Sequence, residues 1–287
     1  MSEPTALLVA GDWHGDPEHA AYIMERALNQ DVQAVVQVGD FGYWEHMEGG
    51  AEFLDWCSDL AISNALPIYW IDGNHENHTM LRALYGPGGE RHKLTPEGFW
   101  EIRPGVFYIP RGTRWTWNGV KLMGLGGAYS VDKGYRLART ERLVRNKQYQ
   151  DEDFVHHGEF DMWWPEEEIT DEELWLTISD ESEVDILFTH DKPIASQPGW
   201  NRKAFEECKP NARRIQTVVE TLHVKMVVHG HLHHRYTDFI HNGTEDGYCT
   251  VEGLDCNAEA DGNPEKSWMR IELLIEPLDT YAHYESA

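Results

Sequence analysis

The sequence predicts an α/β fold, and three observations carry the prediction. Short apolar runs alternate with amphipathic stretches over the first 75 residues. Each run ends in a polar cluster, and the same rhythm returns after residue 184. At 287 residues the chain can bury a real core. No repeat and no linker divides it, so a single domain over 1–287 is expected.

The elements follow in order. Ala6-Leu7-Leu8-Val9-Ala10 reads as a buried strand ending at Gly11-Asp12. Asp16-Pro17-Glu18 then combines an N-cap, a proline at the first helical position and an acid in the first turn. Tyr22, Ile23, Ala27 and Leu28 form that helix's apolar face. The next strand is 34–38, ending at Gly39-Asp40. A helix carries Phe53, Leu54, Cys57, Leu60 and Ala61, and a third strand, 67–71, ends at Asp72-Gly73-Asn74-His75. Residues 86–119 are rich in Gly, Pro and Trp and read as loops and short strands; Val120 to Leu125 follows as a strand. Lys and Arg concentrate in 132–145, whereas 150–183 is strongly acidic. Thr170 with Glu173 marks a capping box for a helix over 172–179. The rhythm then resumes with a strand at 184–189 before His190, a helix at 212–222 and a strand at 224–228 before His229-Gly230-His231; a last strand is expected at 269–275.

Charge narrows the function classes. Twenty-four Lys and Arg against 50 Asp and Glu leave a formal charge of −26, which repels phosphate backbones and disfavours long nucleic acid as a partner. A small anionic substrate held by local cations or metal ions remains compatible with it. No run of 18 apolar residues and no basic, apolar leader is present, so no membrane partner and a cytoplasmic location are expected. Cys57, Cys208, Cys249 and Cys256 form no C-x-x-C pair and read as reduced thiols, although Cys249 and Cys256 could approach each other.

Five strand ends hold oxygen and nitrogen donors: Asp12 with His14, Asp40, Asn74 with His75, His190, and His231 with His233. One Asp-x-His is usually a turn beside a surface histidine. Five such ends in order, each after an apolar run, converge on one edge of the sheet and point to divalent metal ions.

Gly11-Asp12-Trp13-His14-Gly15, Gly39-Asp40, Gly73-Asn74-His75-Glu76, His190 and Gly230-His231-Leu232-His233 resemble, in order, the signature of calcineurin-like metallophosphoesterases. The resemblance implies a four-layer α-β-β-α sandwich, here with insertions around 86–119 and 130–183. It implies two divalent metal ions, with Mn first and Fe, Zn or Co as alternatives. Asp12, His14 and His233 would hold one ion, Asn74, His190 and His231 the other, and Asp40 would bridge them. Two cations about 3.5–4 Å apart clamp an in-line phosphoryl displacement, and a water between them becomes the nucleophile. His75 would be the general acid for the leaving oxygen, oriented by Asp72 or Glu76. The glycines beside the ligands would let the backbone turn sharply after each strand.

Protein Ser/Thr phosphatases of this superfamily carry Asp-Arg-Gly shortly after the second aspartate. Here Asp40 is followed by Phe41-Gly42-Tyr43-Trp44, with no arginine for a phosphomonoester dianion. The expected reaction is therefore hydrolysis of a small or cyclic nucleotide phosphodiester. Phosphomonoesterase, nuclease and a non-catalytic scaffold are the alternatives. Residues 126–133 with Arg136, Arg139, Trp163 and Trp164 resemble a pattern of a bacterial and phage-type subgroup. It offers Tyr129 and Arg136 as substrate contacts, against the alternative that the arginines pair with nearby acids and the tryptophans plug a small core. Trp44 and His78 are further candidates, set against ordinary packing and a solvated position. His156 and His157 read as solvated, His229 as a core or supporting histidine, and His234 as facing away from His233 if the chain there is extended. Glu166 to Glu173 reads as a solvated helix face.

Overall fold

The computed structural model describes residues 3–45, 48–85, 89, 93–145, 163–199 and 206–273, except for the side chains at 85, 139–140 and 143–145. Its first sheet contains β1 (Ala6–Ala10), β2 (Ala34–Gln37), β3 (Ile68–Trp70), β4 (Trp100–Arg103), β5 (Val106–Tyr108) and β12 (Trp268–Glu272), in the order β12-β1-β2-β3-β5-β4. The second contains β6 (Thr113–Trp117), β7 (Val120–Leu125), β8 (Ile186–Thr189), β9 (Met226–His229), β10 (Tyr236–His241) and β11 (Tyr248–Gly253), in the order β10-β11-β9-β8-β7-β6. Each sheet has a parallel centre and antiparallel edges. The six α-helices of the described residues are α1 (Pro17–Asn29), α2 (Gly50–Ser63), α3 (His78–Tyr85), α4 (Lys133–Arg145), α5 (Asp171–Ile178) and α6 (Lys209–Thr221).

Strand alternation builds the layers. Leu8 and Ala10 turn outward from β1 and join Ile23, Met24, Leu54 and Cys57 of α1 and α2. Leu7 and Val9 turn inward and meet Leu122, Phe188 and Val228 of the second sheet. On the far face, Leu125, Leu187 and Val227 pack on Ile215, Val218 and Val219 of α6. The period of two thus produces helix, sheet, sheet, helix, and all three apolar layers exclude water. All five β1 residues are buried because both faces are covered, which is why the strand reads as an unbroken apolar run.

Local chemistry sets the boundaries. Asp16 caps α1 by accepting from the Glu18 and His19 amides at 2.9 and 3.0 Å. Thr170 and Glu173 form the anticipated capping box of α5. Helix α6 begins at Lys209, one turn before its apolar face, because Pro210 fits a first turn and Asn211 is buried by its own hydrogen bonds. The strand expected from 184 starts at Ile186, since the Val184 amide bonds Leu222 outside the ladder. Residues 274–275 of the expected last strand lie outside the described residues. The Trp- and Pro-rich stretch supplies β4, β5 and β6, so 100–117 belongs to the edges of both sheets.

The acidic segment departs most from expectation. Glu167 is fully buried, and Glu173 accepts from Arg82 at 2.6 Å and Arg111 at 3.1 Å. Arg111 also grips Asp72 at 2.6 Å and the carbonyls of Glu166 and Glu168 at 2.7 and 3.0 Å. Residues 163–173 therefore form a strap on the loop after β3, and only part of this segment is the solvated face that its composition suggests. Burial opposes the Asp72 charge, but Arg111 outweighs it and holds the carboxyl below its usual value. Among the described residues no helix is long and apolar enough to cross a membrane, and no disulfide joins the four cysteines.

Arg111→Ala should destabilise the metal-free protein by about 3–5 kcal/mol in urea unfolding, because Asp72 would stay buried and unpaired. A loss below about 1 kcal/mol, the size of an exposed ion pair, would contradict this.

Candidate metal centre

The loops after β1, β2, β3, β8 and β9 meet at one edge of the sandwich. Asp40 is their centre. Its carbonyl accepts the amides of Trp13 and His14 at 3.0 and 2.8 Å. Its Oδ1 accepts the His75 amide at 2.8 Å. Its Oδ2 lies 3.3 Å from His190 Nε2 and 3.9 Å from His14 Nδ1. Two donor groups result, Asp12 with His14 and His233, and Asp12 with Asp40 and His190; within each, the ligand atoms lie within 4.8 Å of one another. Asn74 Oδ1 joins the second group, 3.1 Å from His190 Nε2. The His231 ring lies 5.0 Å from that of His190, and its amide donates to Asp12 Oδ1 at 3.0 Å. All seven residues that the motifs single out as ligands therefore converge.

Backbone geometry reflects this crowding. His14, Asp40, His231 and His233 are themselves left-handed, with φ of 50, 53, 64 and 48°. Non-glycine residues rarely adopt that conformation, and it clusters at sites where geometry outweighs strain. Gly15 and Gly39 turn the chain as expected, with φ of 71 and 96°, but two other glycines serve differently. Gly73 and Gly230 do not have positive φ; a Cβ on them would lie 2.1 Å from Asp40 Oδ1 and 2.0 Å from Asp12 Oδ1. They are needed because a carboxylate presses on the chain.

The donor set fits divalent cations. His190 Nδ1 donates to the Val38 carbonyl at 2.8 Å, which turns Nε2 towards Asp40 Oδ2 and Asn74 Oδ1. With Nδ1 as the donor of a neutral imidazole, Nε2 is a lone pair facing two other acceptors. A proton or a metal ion must lie among them. Asp12 and Asp40 are buried, yet His190 and the neighbouring histidines outweigh that burial and hold both carboxyls below their usual value. In return, against its own burial, His190 is raised to about 10 by Asp40 and Asp12. His233 likewise reaches about 11 through its bond to Asp12. The same carboxylates that favour a proton on these imidazoles would favour a divalent ion in its place.

The supporting residues differ from expectation in several places. Asp72 is held by Arg111 and Tyr108, and Glu76 accepts the amides of Gly42 and Gly73, so neither is seen to orient His75. Glu76 instead braces the second ligand loop against the third. His75 is fixed through its backbone: its carbonyl accepts the Trp44 indole N–H, and its ring lies 5.8 Å from that of His14, edge-on. Trp44 is buried and packs beside Gly15, as ordinary packing predicts. His78 is fully buried at the start of α3, 6.2 Å from the Trp164 ring, so it is not solvated. Arg136 is also buried; its donors engage Glu167 and Asp132, each at 3.0 Å, and Ser130. It supports the site from behind rather than presenting its charge to solvent. Tyr129 is half-buried, with Lys133 Nζ 5.4 Å from its ring centroid and 3.9 Å from that of Trp163. Trp164 donates to Thr79 at 3.1 Å. His229 is a core residue bonded to Gly230 and Tyr236, and His234 stacks on Tyr236. The left-handed φ at His231 and His233, not an extended chain, separates His234 from its neighbour. The Arg139 side chain, His156 and His157 lie outside the described residues.

A family model described as calcineurin-like phosphoesterase matches residues 5–235. A dimetal phosphatase from Danio rerio aligns over 95% of this chain and 94% of its own, at 12% identity and a TM-score of 0.50. A Thermus thermophilus protein aligns over 95% of this chain and 100% of its own, at 12% identity and a TM-score of 0.42. No curated protein matches the sequence.

Metal binding should release protons from the histidines, so affinity should rise with pH, about tenfold per unit for each proton displaced. Mn titrations by calorimetry at pH 6.5 and 8 check this; equal affinities at the two values would refute it.

Proposed function

The chain belongs to the calcineurin-like phosphoesterases, and from that premise we propose that it is a two-metal phosphodiesterase acting on a small or cyclic nucleotide diester. One observation supports the two-metal part: two donor groups meet at Asp12, and Asp40 of the second group lies 3.3 Å from His190 and 3.9 Å from His14 of the first. In this reading Asp12, His14 and His233 hold one ion, Asn74, His190 and His231 hold the other, and Asp40 serves both. Bound divalent ions would neutralise phosphoryl oxygens and acidify water. Mn is the first candidate, and Fe, Zn or Co suit the same oxygen and imidazole donors.

His75 is the proposed general acid. It follows ligand Asn74, its ring sits edge-on to His14, and its amide is tied to Asp40, so its position is set by the ligand frame itself. Burial pushes this partly accessible imidazole down to about 4 against the pull of Asp40, so its role as acid requires an anionic phosphoryl group beside it to raise it before it passes a proton to the leaving oxygen.

The diester preference rests on charge. A monoester dianion carries more charge than a diester monoanion and needs more cationic contacts. Arg111 and Arg136, which flank this edge, both grip buried carboxylates. Phe41, Tyr43 and Trp44, which follow Asp40, are buried. The net charge of −26 and the pairing of Lys133 with Glu168 at 3.4 Å favour a small substrate over a nuclease role.

Metal-stripped protein refilled with Mn should hydrolyse bis-p-nitrophenyl phosphate faster than p-nitrophenyl phosphate, and Asn74→Ala should abolish both. A strong monoester preference would overturn the diester assignment. His75→Ala should keep its metal and lose about 10²–10⁴-fold in turnover. Loss of metal in that variant would sink the general-acid role.

A further inference from the structure

The strap raises a question that the ligand motifs leave open. Asn74 binds a metal only through its amide oxygen, yet its amide can present oxygen or nitrogen to the centre with little change in shape. Something must decide between the two. The Asn74 amide nitrogen donates to Ser130 Oγ at 3.0 Å, and the oxygen is left facing His190. Ser130 alone would not decide, because a hydroxyl can donate as well as accept. Its hydrogen, however, is taken by Glu167 Oε2, and Arg136 donates to the same hydroxyl oxygen. Arg136 also holds Glu167 Oε1 and Oε2 at 3.0 and 3.2 Å. Ser130, Arg136 and Glu167 are each no more than 1% exposed, so water does not compete for these bonds.

We infer that Ser130, its hydrogen committed to Glu167 of the strap, is a positioning residue that turns the Asn74 amide oxygen towards the second metal position. The inference rests on the two-metal reading above. It accounts for the burial of Glu167 within the strap. An ionised Glu167 can only accept, which forces Ser130 to accept from Asn74. Arg136 supplies the counter-charge, and Arg111 pins the carbonyls of Glu166 and Glu168 on either side. Burial pushes Glu167 up to about 8 against the pull of Arg136, so the arrangement is complete above that pH.

The test is Mn binding at pH 8.5, followed by calorimetry and elemental analysis, in Ser130→Ala and in an Asn74→Asp background. A carboxylate has no wrong end, so Asn74→Asp removes the need for orientation. Wild type should bind two ions. Ser130→Ala should bind the first as wild type does and the second about 10–100-fold more weakly, the usual cost of losing a group that orients a ligand. In the Asn74→Asp background the same substitution should change the second affinity by less than about twofold. A Ser130→Ala effect of equal size in both backgrounds would mean a general structural role and would overturn the inference. So would unchanged affinity for both ions in Ser130→Ala. Wild-type protein that binds fewer than two ions would overturn the two-metal reading itself, a separate outcome. Circular dichroism of each metal-free variant keeps misfolding distinct from lost binding.

Discussion

Two carboxylates buried in one cavity are the constraint around which this structure is arranged. Asp12 and Asp40 are at most 1% exposed, and both reach the same histidines. Such groups can remain charged only if cations lie among them. The chain brings His14, His190 and His233 to them rather than lysine or arginine. Imidazole can give up its proton to a metal at modest cost, whereas a guanidinium cannot. The arginines that do lie nearby, Arg111 and Arg136, are spent on a different pair of buried acids, Asp72 and Glu167.

The sandwich exists in a form that can meet that constraint. Parallel central strands point their carboxyl ends the same way, so the loops after β1, β2 and β3 open on one edge, and those after β8 and β9 open opposite them. The layers themselves are apolar and indifferent to chemistry. Gln37 marks the transition, since its side chain bonds the carbonyl of Gly11 and the amide of Gly39 just where core becomes site. Beyond that point the turns are crowded: a carboxylate lies against Gly73, another against Gly230, and four of the donor residues have left-handed backbone.

A second ring of charge lies behind the first. Asp72, Glu167 and Glu173 are neutralised by Arg82, Arg111 and Arg136, and these pairs fasten 163–173 to the loop that carries Asn74. The Arg111–Asp72 and Arg136–Glu167 pairs are buried, and such pairs contribute little net stability but are costly to break singly, so they define one arrangement. That property suits a support for ligands whose orientation matters more than their burial. It also explains how so acidic a chain keeps its acids: several of them are internal and matched.

The sequence by itself determined much of the layering and the donor residues that converge at the site. Apolar runs of period two and helical stripes follow directly from which residues must avoid water, and the donors stand at fixed offsets from those runs. Asp12, His14, Asp40, Asn74, His190, His231 and His233 were legible for that reason, as were the caps at Asp16 and Thr170. Strands β10 and β11 were not legible: β10 alternates half-buried with exposed residues, Phe239 among the exposed, and neither strand is an unbroken apolar run. Only the tertiary structure decided the fate of the remaining polar residues. Whether Glu167 is solvated or buried, whether Arg136 faces a substrate or an acid, and whether His78 lies inside or outside depend on partners 31 or more positions away in the chain, such as the Arg136–Glu167 pair. A charged side chain carries no local sign of its partner; the energy of burying it is settled only when the chain brings the two together.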